Sequence, residues 1–470
     1  MSSSPDYTAI AARCMRIEEL TWGDPKRDFI VRFRGALTTD KLNARQLLEA
    51  ELAPLNLSAI VRDEDGRSAI LIISDPLTAI VAEILDIEET HWGDHLEGYV
   101  ARFLGRLNRD SIEAYDFLAA SMEPRRLTPL FREEEGKHAV ILIREISQPP
   151  ASSPWINLAL FILTLLSVAI AGAMNVYDGS AADLQTFLRE ILASIGKGVP
   201  FAISLLAILL AHEFGHYIAG RIHKTPVSLP YFLPFPVAPF GTLGAFIRLR
   251  GVPRNKRILH DIGIAGPLAG LAVAIPILLI GLNLSHVEAI PRVIPAGQGF
   301  SLEGNSILYL LAKYLTFGEW LPTPPTYGAD APWLYWIKFI FTGQPFPLGG
   351  RDVIIHPIAL AGWGGILVTA LNLIPAGQLD GGHIVYTLLG RHARRLIPWI
   401  LAILFALGFV WSGWWLWAFL ISLLGRTHAE PLDQITRLNP ARRLLAIFGL
   451  IIFILVFTPI PLTLVMGPAV

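Results

Sequence analysis

His212-Glu213-Phe214-Gly215-His216 lies near the end of an almost uncharged stretch, Val199 to Gly220, long enough to cross a bilayer. Ionisable residues in such a stretch mark a functional site by default, because placing them in hydrocarbon is costly. On a helix, HExxH sets two imidazoles at i and i+4, one turn apart on one face. That spacing suits zinc, and the glutamate between them, Glu213, is placed to act as general base. A catalytic zinc takes three protein ligands and leaves one position open for water, so a third ligand must come from elsewhere. Asp380 is the best candidate, in Asn372-Leu373-Ile374-Pro375-Ala376-Gly377-Gln378-Leu379-Asp380-Gly381-Gly382. Pro375, Gly377, Gly381 and Gly382 interrupt any helix there and let a carboxylate turn inward. A turn role for the Asp380-Gly381 pair is the plainer alternative.

These residues need a membrane scaffold, and the composition supplies one. Of 470 residues, 53% are hydrophobic and 16% charged, too apolar a balance for an ordinary soluble protein. Residues 1–150 carry 18 Lys+Arg against 26 Asp+Glu, whereas residues 151–470 carry 20 against 13. The first part reads as an acidic soluble module and the second as a membrane module with basic loops. No basic excess points to nucleic acid. Cys14 is the only cysteine, which excludes a disulfide framework and a thiolate metal cluster. Met1 to Tyr7 has neither the basic nor the apolar part of a secretory signal. The expectation is a multi-pass protein of a prokaryotic plasma membrane, its N-terminal domain in the cytosol.

The expected fold is a polytopic α-helical membrane protein of about six transmembrane helices with a re-entrant loop, behind a soluble α+β domain. Residues 1–147 form that domain, 148–154 a proline-rich linker, and 155–470 the membrane domain. The candidate spans are Trp155–Val176, Val199–Gly220, Ile258–Leu282, His356–Ile374, Leu396–Leu424 and Leu444–Leu464. The fifth is long for one crossing. A turn at Trp411-Ser412-Gly413-Trp414-Trp415 would split it and give seven. Thr225 to Arg250 holds five prolines and cannot be one helix, so it reads as a re-entrant loop, extended from Thr242 to Leu249. His286 to Gly350 reads as a far-side segment with short interfacial helices. Arg221, Lys224, Arg248, Arg250, Arg254, Lys256 and Arg257 lie between the second and third spans, and Arg391, Arg394 and Arg395 follow the fourth. The positive-inside rule puts both clusters in the cytosol, with HExxH toward that end of its helix.

The soluble part is duplicated at an offset of 70 residues: Ile17-Glu18-Glu19 and Trp22-Gly23-Asp24 recur as Ile87-Glu88-Glu89 and Trp92-Gly93-Asp94. Arg32-Phe33, Gly35 and Leu37 recur as Arg102-Phe103, Gly105 and Leu107. Each copy, about 15–75 and about 85–145, reads as a βαββ unit with an acidic hairpin turn at Asp65-Gly66 or Glu135-Gly136. The repeated Trp-Gly-Asp is read as a structural turn rather than a ligand site. A cytosolic regulator is the partner this domain would take.

Together the two motifs resemble the site-2 protease family of intramembrane metalloproteases, which pairs an HExxH helix with a distant NxxPxxxLDG helix. Here these are His212 to His216 and Asn372 to Gly381. Gly241-Thr242-Leu243-Gly244-Ala245 looks like the family's membrane-embedded loop. The resemblance covers roughly residues 155–465. It is closest to the plastid and cyanobacterial group named for ethylene-dependent gravitropism-deficient and yellow-green plants, whose Phe-Arg-Gly element resembles Phe33-Arg34-Gly35; the second copy departs from it with Phe103-Leu104-Gly105.

The chemistry expected is hydrolysis of a peptide bond in or near a transmembrane segment of a single-pass membrane protein. One Zn2+ activates water, Glu213 takes its proton, and His212, His216 and Asp380 hold the metal. Asn372 is a candidate donor to the oxyanion, with holding the Pro375 loop as the alternative. The extended stretch Thr242–Leu249 is expected to bind unwound substrate by strand addition, with a structural plug that separates the site from lipid as the alternative; Gly241, Thr242 and Gly244 are the candidate substrate residues. His383 is a candidate outer partner of the metal, and His223, His260 and His356 read as interfacial. A prenyl-protein type zinc protease would need a glutamate ligand, but Glu288, Glu303 and Glu319 fall in the far-side segment. The remaining rival class is an inactive homologue or a metal-binding transporter or scaffold.

Overall fold

The computed structural model describes the chain except residues 1–5, 24–28, 53–54, 56, 65, 74–75, 94–97, 147–152, 178, 180–182, 296–298, 329–330, 425–429 and 467–470. Most of the expected linker, together with Asp24, Asp65 and Asp94, therefore lies outside the described residues. The chain divides into two compact units, one of residues 1–147 with 432–436 and one of 148–431 with 437–470.

The first unit runs α1 (Tyr7–Ala11), β1 (Met15–Trp22), β2 (Val31–Leu37), α2 (Lys41–Leu52), β3 (Ser58–Glu64) and β4 (Arg67–Ile73). After α3 (Pro76–Ala82) come β5 (Leu85–Trp92), β6 (Ala101–Leu107), α4 (Ser111–Met122), β7 (Leu127–Glu134) and β8 (Lys137–Arg144). Two antiparallel sheets result, ordered β1-β2-β4-β3 and β5-β6-β8-β7. Each copy is thus ββαββ, not the βαββ expected. The missed strands β1 and β5 each carry a register shift, between Ile17 and Glu19 and between Ile87 and Glu89, which breaks the period-two pattern that reveals a strand. Opposite each bulge sits a glycine. A Cβ on Gly35 would lie 2.0 Å from the Arg16 carbonyl oxygen, and one on Gly105 2.0 Å from that of Asp86. Close backbone approach therefore explains the glycine that both copies share, while Phe33 and Phe103 beside it fill the two cores.

The second unit begins with α5 (Pro154–Asn175), α6 (Leu184–Ala193), α7 (Ile195–Ile222), the hairpin β9 (Tyr231–Pro234) and β10 (Thr242–Phe246), and α8 (Lys256–Asn283). Next come β11 (His286–Ala289), β12 (Gly299–Glu303), α9 (Ile307–Phe317), α10 (Pro332–Thr342), β13 (Arg351–Ile354) and α11 (Pro357–Asn372). The chain continues through α12 (Asp380–Leu389), α13 (Ile397–Leu407), α14 (Gly413–Leu424), α15 (Pro440–Val456) and β14 (Leu462–Met466). β11 pairs with β13 and β12 with β14.

Among the described residues three helices are long and apolar enough to cross a membrane, α5, α7 and α8, at 22, 28 and 28 residues. They match the first three expected spans. The fourth, α11, has 16 residues, about 24 Å at 1.5 Å per residue. The fifth is two helices, α13 and α14, broken between Leu407 and Gly413. The sixth, α15, starts and ends earlier than expected, stopping at Val456 ahead of Pro459 and Pro461.

Small residues let these helices meet backbone to backbone, as membrane helices do. A Cβ on Gly281 of α8 would lie 2.1 Å from the Ala359 nitrogen of α11, and one on Gly215 of α7 2.5 Å from the Ala265 oxygen of α8. α8 thus packs between α7 and α11, its Leu271, Ala274 and Leu278 in one core cluster with Trp363 and Ile366.

Candidate metal centre

On α7, His212, Glu213 and His216 are all buried, at 3%, 5% and 7% exposure. Asp380 opens α12, after the turn of Pro375 and Gly377. That turn folds tightly onto the end of α11: a Cβ on Gly381 would lie 2.0 Å from the Leu373 oxygen, and one on Gly382 2.4 Å from the Gly377 oxygen. The two glycines after Asp380 are therefore what lets the carboxylate face α7.

His212 Nε2 lies 3.2 Å and His216 Nε2 3.3 Å from Asp380 Oδ2. The two Nε2 atoms are 3.2 Å apart. Zinc–nitrogen and zinc–oxygen bonds of about 2.0–2.1 Å in a tetrahedral site separate neighbouring donors by about 3.3 Å. The triangle fits a zinc ion. Among the described residues these three form the one His/Cys/Asp/Glu group of metal-binding dimensions. His216 Nδ1 donates to the Ile262 carbonyl oxygen at 2.7 Å, which leaves the lone pair on Nε2, where a metal would take it. Glu288, Glu303 and Glu319 are not in the group.

The wall opposite the histidines is α8, and there sequence reading missed the positioning residues. A Cβ on Gly266 would lie 2.1 Å from His216 Nε2, and one on Gly270 3.1 Å from His212 Nδ1. The signal was present as glycines at 263, 266 and 270, one face of a helix. One turn away, Asp261 joins three helices. Its carboxylate takes two bonds from Arg442 of α15, at 2.8 and 2.7 Å, and one from His223 at the end of α7, at 2.9 Å. His260, read as interfacial, is fully buried with Nδ1 3.1 Å from the same carboxylate. His356 caps α11.

A cavity of about 770 Å³ holds the triangle and Glu213, with Ala245 to Leu249, Asn372, Gln378 and His383 in its lining. The Asn372 amide lies 3.2 Å from His212 Nε2. The Ile247 amide donates to the Glu213 carboxylate. Gly241, Thr242 and Gly244 do not line the cavity. Gly241 packs on α5, where Ser167 Oγ donates to its carbonyl oxygen at 2.5 Å, and the Thr242 hydroxyl bonds within the hairpin to Leu233 O and Gly244 N. The stretch facing the cavity is the next one, residues 245–249.

Comparison with known proteins agrees with this geometry. Residues 200–411 match the profile of Peptidase family M50. The chain is 29% identical over 339 residues to "Probable zinc metalloprotease EGY1, chloroplastic" of Oryza sativa subsp. japonica, covering 68% of this chain and 53% of that protein. It is 27% identical to the Arabidopsis thaliana EGY1 protein, over 68% of this chain and 56% of that one. It is 26% identical to Arabidopsis thaliana "Probable zinc metalloprotease EGY2, chloroplastic", over 76% and 60%. The chain spans about half the length of the curated relatives it matches. No solved structure gives a significant match. The names of these relatives place them in the chloroplast, so they lend no support to the prokaryotic plasma membrane expected above. Residues 200–411, which contain the histidines, the aspartate and the glycine wall, are thus similar to Peptidase family M50, and the relatives that share this similarity carry the name of zinc metalloproteases.

Proposed function

We propose that this chain is a zinc metalloendopeptidase that hydrolyses a peptide bond in or near a transmembrane segment of a single-pass membrane protein. The observation that carries the reading is the convergence of His212, His216 and Asp380 on one point, in the same cavity as Glu213. The zinc those three residues would hold supplies Lewis acidity and lowers the pKa of water to about 7. Glu213 takes the proton of the attacking water and passes it to the departing amine. Asn372 donates its amide toward the oxyanion from the cavity wall. Ala245 to Leu249 bind the unwound substrate through their backbone, since a helical segment must expose its peptide bonds before attack.

The break in the fifth span bears on the topology. α13 and α14, of 11 and 12 residues, enter and return as a short hairpin, which favours seven helical segments over six. The relatives' names suggest a chloroplast membrane or its equivalent for the chain.

Zinc analysis of the purified protein tests the ligand set. About one zinc per chain is expected in the wild type, lost in His212→Ala and in Asp380→Ala. Unchanged zinc and cleavage in Asp380→Ala would remove it as third ligand. An inactive scaffold or a transporter is the second reading, and the presence of Glu213 speaks against it.

A further inference from the structure

The first unit contains one segment remote in sequence. Leu432–Thr436 lies along the free edge of β7, with Asp433 in a parallel bridge to Phe131. The Phe131 amide donates to the Leu432 oxygen at 2.9 Å, and the Gln434 amide donates to the Phe131 oxygen at 3.0 Å. Arg132 Nη1 donates to the same Leu432 oxygen at 2.7 Å, and the hydroxyls of Ser111 and Thr436 bond at 2.8 Å. Leu432 and Ile435 pack onto the core of the second repeat, with Ala114, Tyr115, Leu118 and Phe131. Asp433 is 1% exposed and shapes the segment itself, accepting from the Ile435 and Thr436 amides and from the Thr436 hydroxyl.

This is peptide recognition in the manner of strand addition: main-chain bonds at Phe131 hold the segment, and two side chains three positions apart, Leu432 and Ile435, pack on the core. The first repeat supplies a control within the chain. At the 70-residue offset, Ser111 is replaced by Lys41, Tyr115 by Arg45 and Phe131 by Val61. Lys41 Nζ reaches Asp63 Oδ2 at 2.6 Å, an ion pair from α2 to β3 across the place where the end of such a segment would lie. Arg45 is engaged by Glu49 and Glu83. Among the described residues no strand pairs with the outer edge of β3. The two copies share a fold, and only the second has an edge built to receive a peptide.

We propose that the groove between β7 and α4 is a peptide-binding site, filled in cis by Leu432–Thr436, and that it exchanges this segment for an extended segment of a partner protein. The chemistry of the resident segment defines the partner: an aliphatic residue, then an acid that caps the next turn, a second aliphatic residue three positions after the first, and a hydroxyl. A five-residue contact is small, and tethering holds it through an effective concentration of order mM for a flexible connection. Exchange would release the stretch that leads directly into α15.

A fluorescein-labelled peptide of the sequence Glu430 to Leu438 tests this on the full chain in nanodiscs, by fluorescence anisotropy. Leu432→Asp with Ile435→Asp should empty the groove and tighten peptide binding at least about tenfold over wild type, because the tethered competitor is gone. Adding Ser111→Lys, the first-repeat residue, should abolish that binding. Circular dichroism and melting establish that each variant is folded. Hydrogen exchange on the wild type gives an independent arm: unlabelled peptide at mM concentration should change protection of the Phe131 and Gln434 amides. A folded, emptied variant that fails to bind the peptide, or exchange at those amides indifferent to it, overturns the proposal.

Discussion

His216 Nδ1 lies 2.7 Å from the carbonyl oxygen of Ile262, and this one bond fixes which nitrogen of the ring faces Asp380. A carbonyl can only accept, so the proton is on Nδ1 and the lone pair on Nε2. The partner is backbone, from the helix whose glycine face also makes room for the ring. Ring orientation is therefore set by how closely α8 approaches α7.

Gly266→Ala should disturb this directly, because its Cβ would fall 2.1 Å from His216 Nε2. Zinc affinity, measured by chelator competition, should drop by about 10–100-fold, the range found when outer partners of metal ligands are lost. Gly270→Ala, with its nearest contact at 3.1 Å, should do less. Equal affinity in Gly266→Ala and wild type would show that α8 does not position the ring.

Asp261→Asn should loosen three helices at once by weakening the paired bonds from Arg442 and the bond to His223. The groups are partly exposed, with side-chain exposures of 20–30%, so a loss of about 1–2 kcal/mol is expected rather than the larger penalty for a fully buried pair. Thermal unfolding in detergent reads it as a lowered Tm. An unchanged Tm would exclude Asp261 as a tie between α7, α8 and α15.

A pH-dependent element is formed by β12, α9 and β13. Lys313 is fully buried, over the ring of Tyr309 and 3.6 Å from Asp352, while Tyr309 donates to Glu303 at 2.7 Å. Burial, followed by the nearby Asp352 charge, pushes the Glu303 carboxyl up from 4.5 to about 7. A raised pKa means the folded state binds the proton more tightly than the unfolded state. The stabilisation is full below about 4.5 and is lost as pH rises to about 7. Protection of the α9 amides against hydrogen exchange, after correction for intrinsic rates, should be greater at pH 5 than at pH 8. Glu303→Gln should flatten the difference, and a profile identical in both proteins would contradict it.

Much of the site was legible because it rests on short-range spacing. His212, Glu213 and His216 announce themselves on one helix turn, and Asp380 stands in a run whose proline and glycines mark a break in the helix, which a turn role alone would also explain. The three long helices were legible for the same reason, since twenty apolar residues are a local property. What was not legible depends on pairing across distance. β1 and β5 hide behind a bulge, the break at Leu407–Gly413 was visible only as an alternative, and Gly266 acquires meaning only when α8 lies against His216. Of the stretch Thr242–Leu249, the part that lines the cavity is residues 245–249, whereas Gly241 precedes β10 and Gly244 lies at its register shift, at φ of 71° and 99°. Leu432–Thr436 left no signal, for a five-residue partner of Phe131 three hundred positions away has no periodicity to read.

The central claim stands on Glu213. Wild type and Glu213→Gln should be reconstituted in liposomes with a single-pass membrane substrate, with cleavage and bound zinc measured on the same samples. About one zinc per chain in both proteins, with cleavage in Glu213→Gln reduced by about 100-fold or more, is the predicted result. Cleavage at the wild-type rate by zinc-loaded Glu213→Gln would contradict the account.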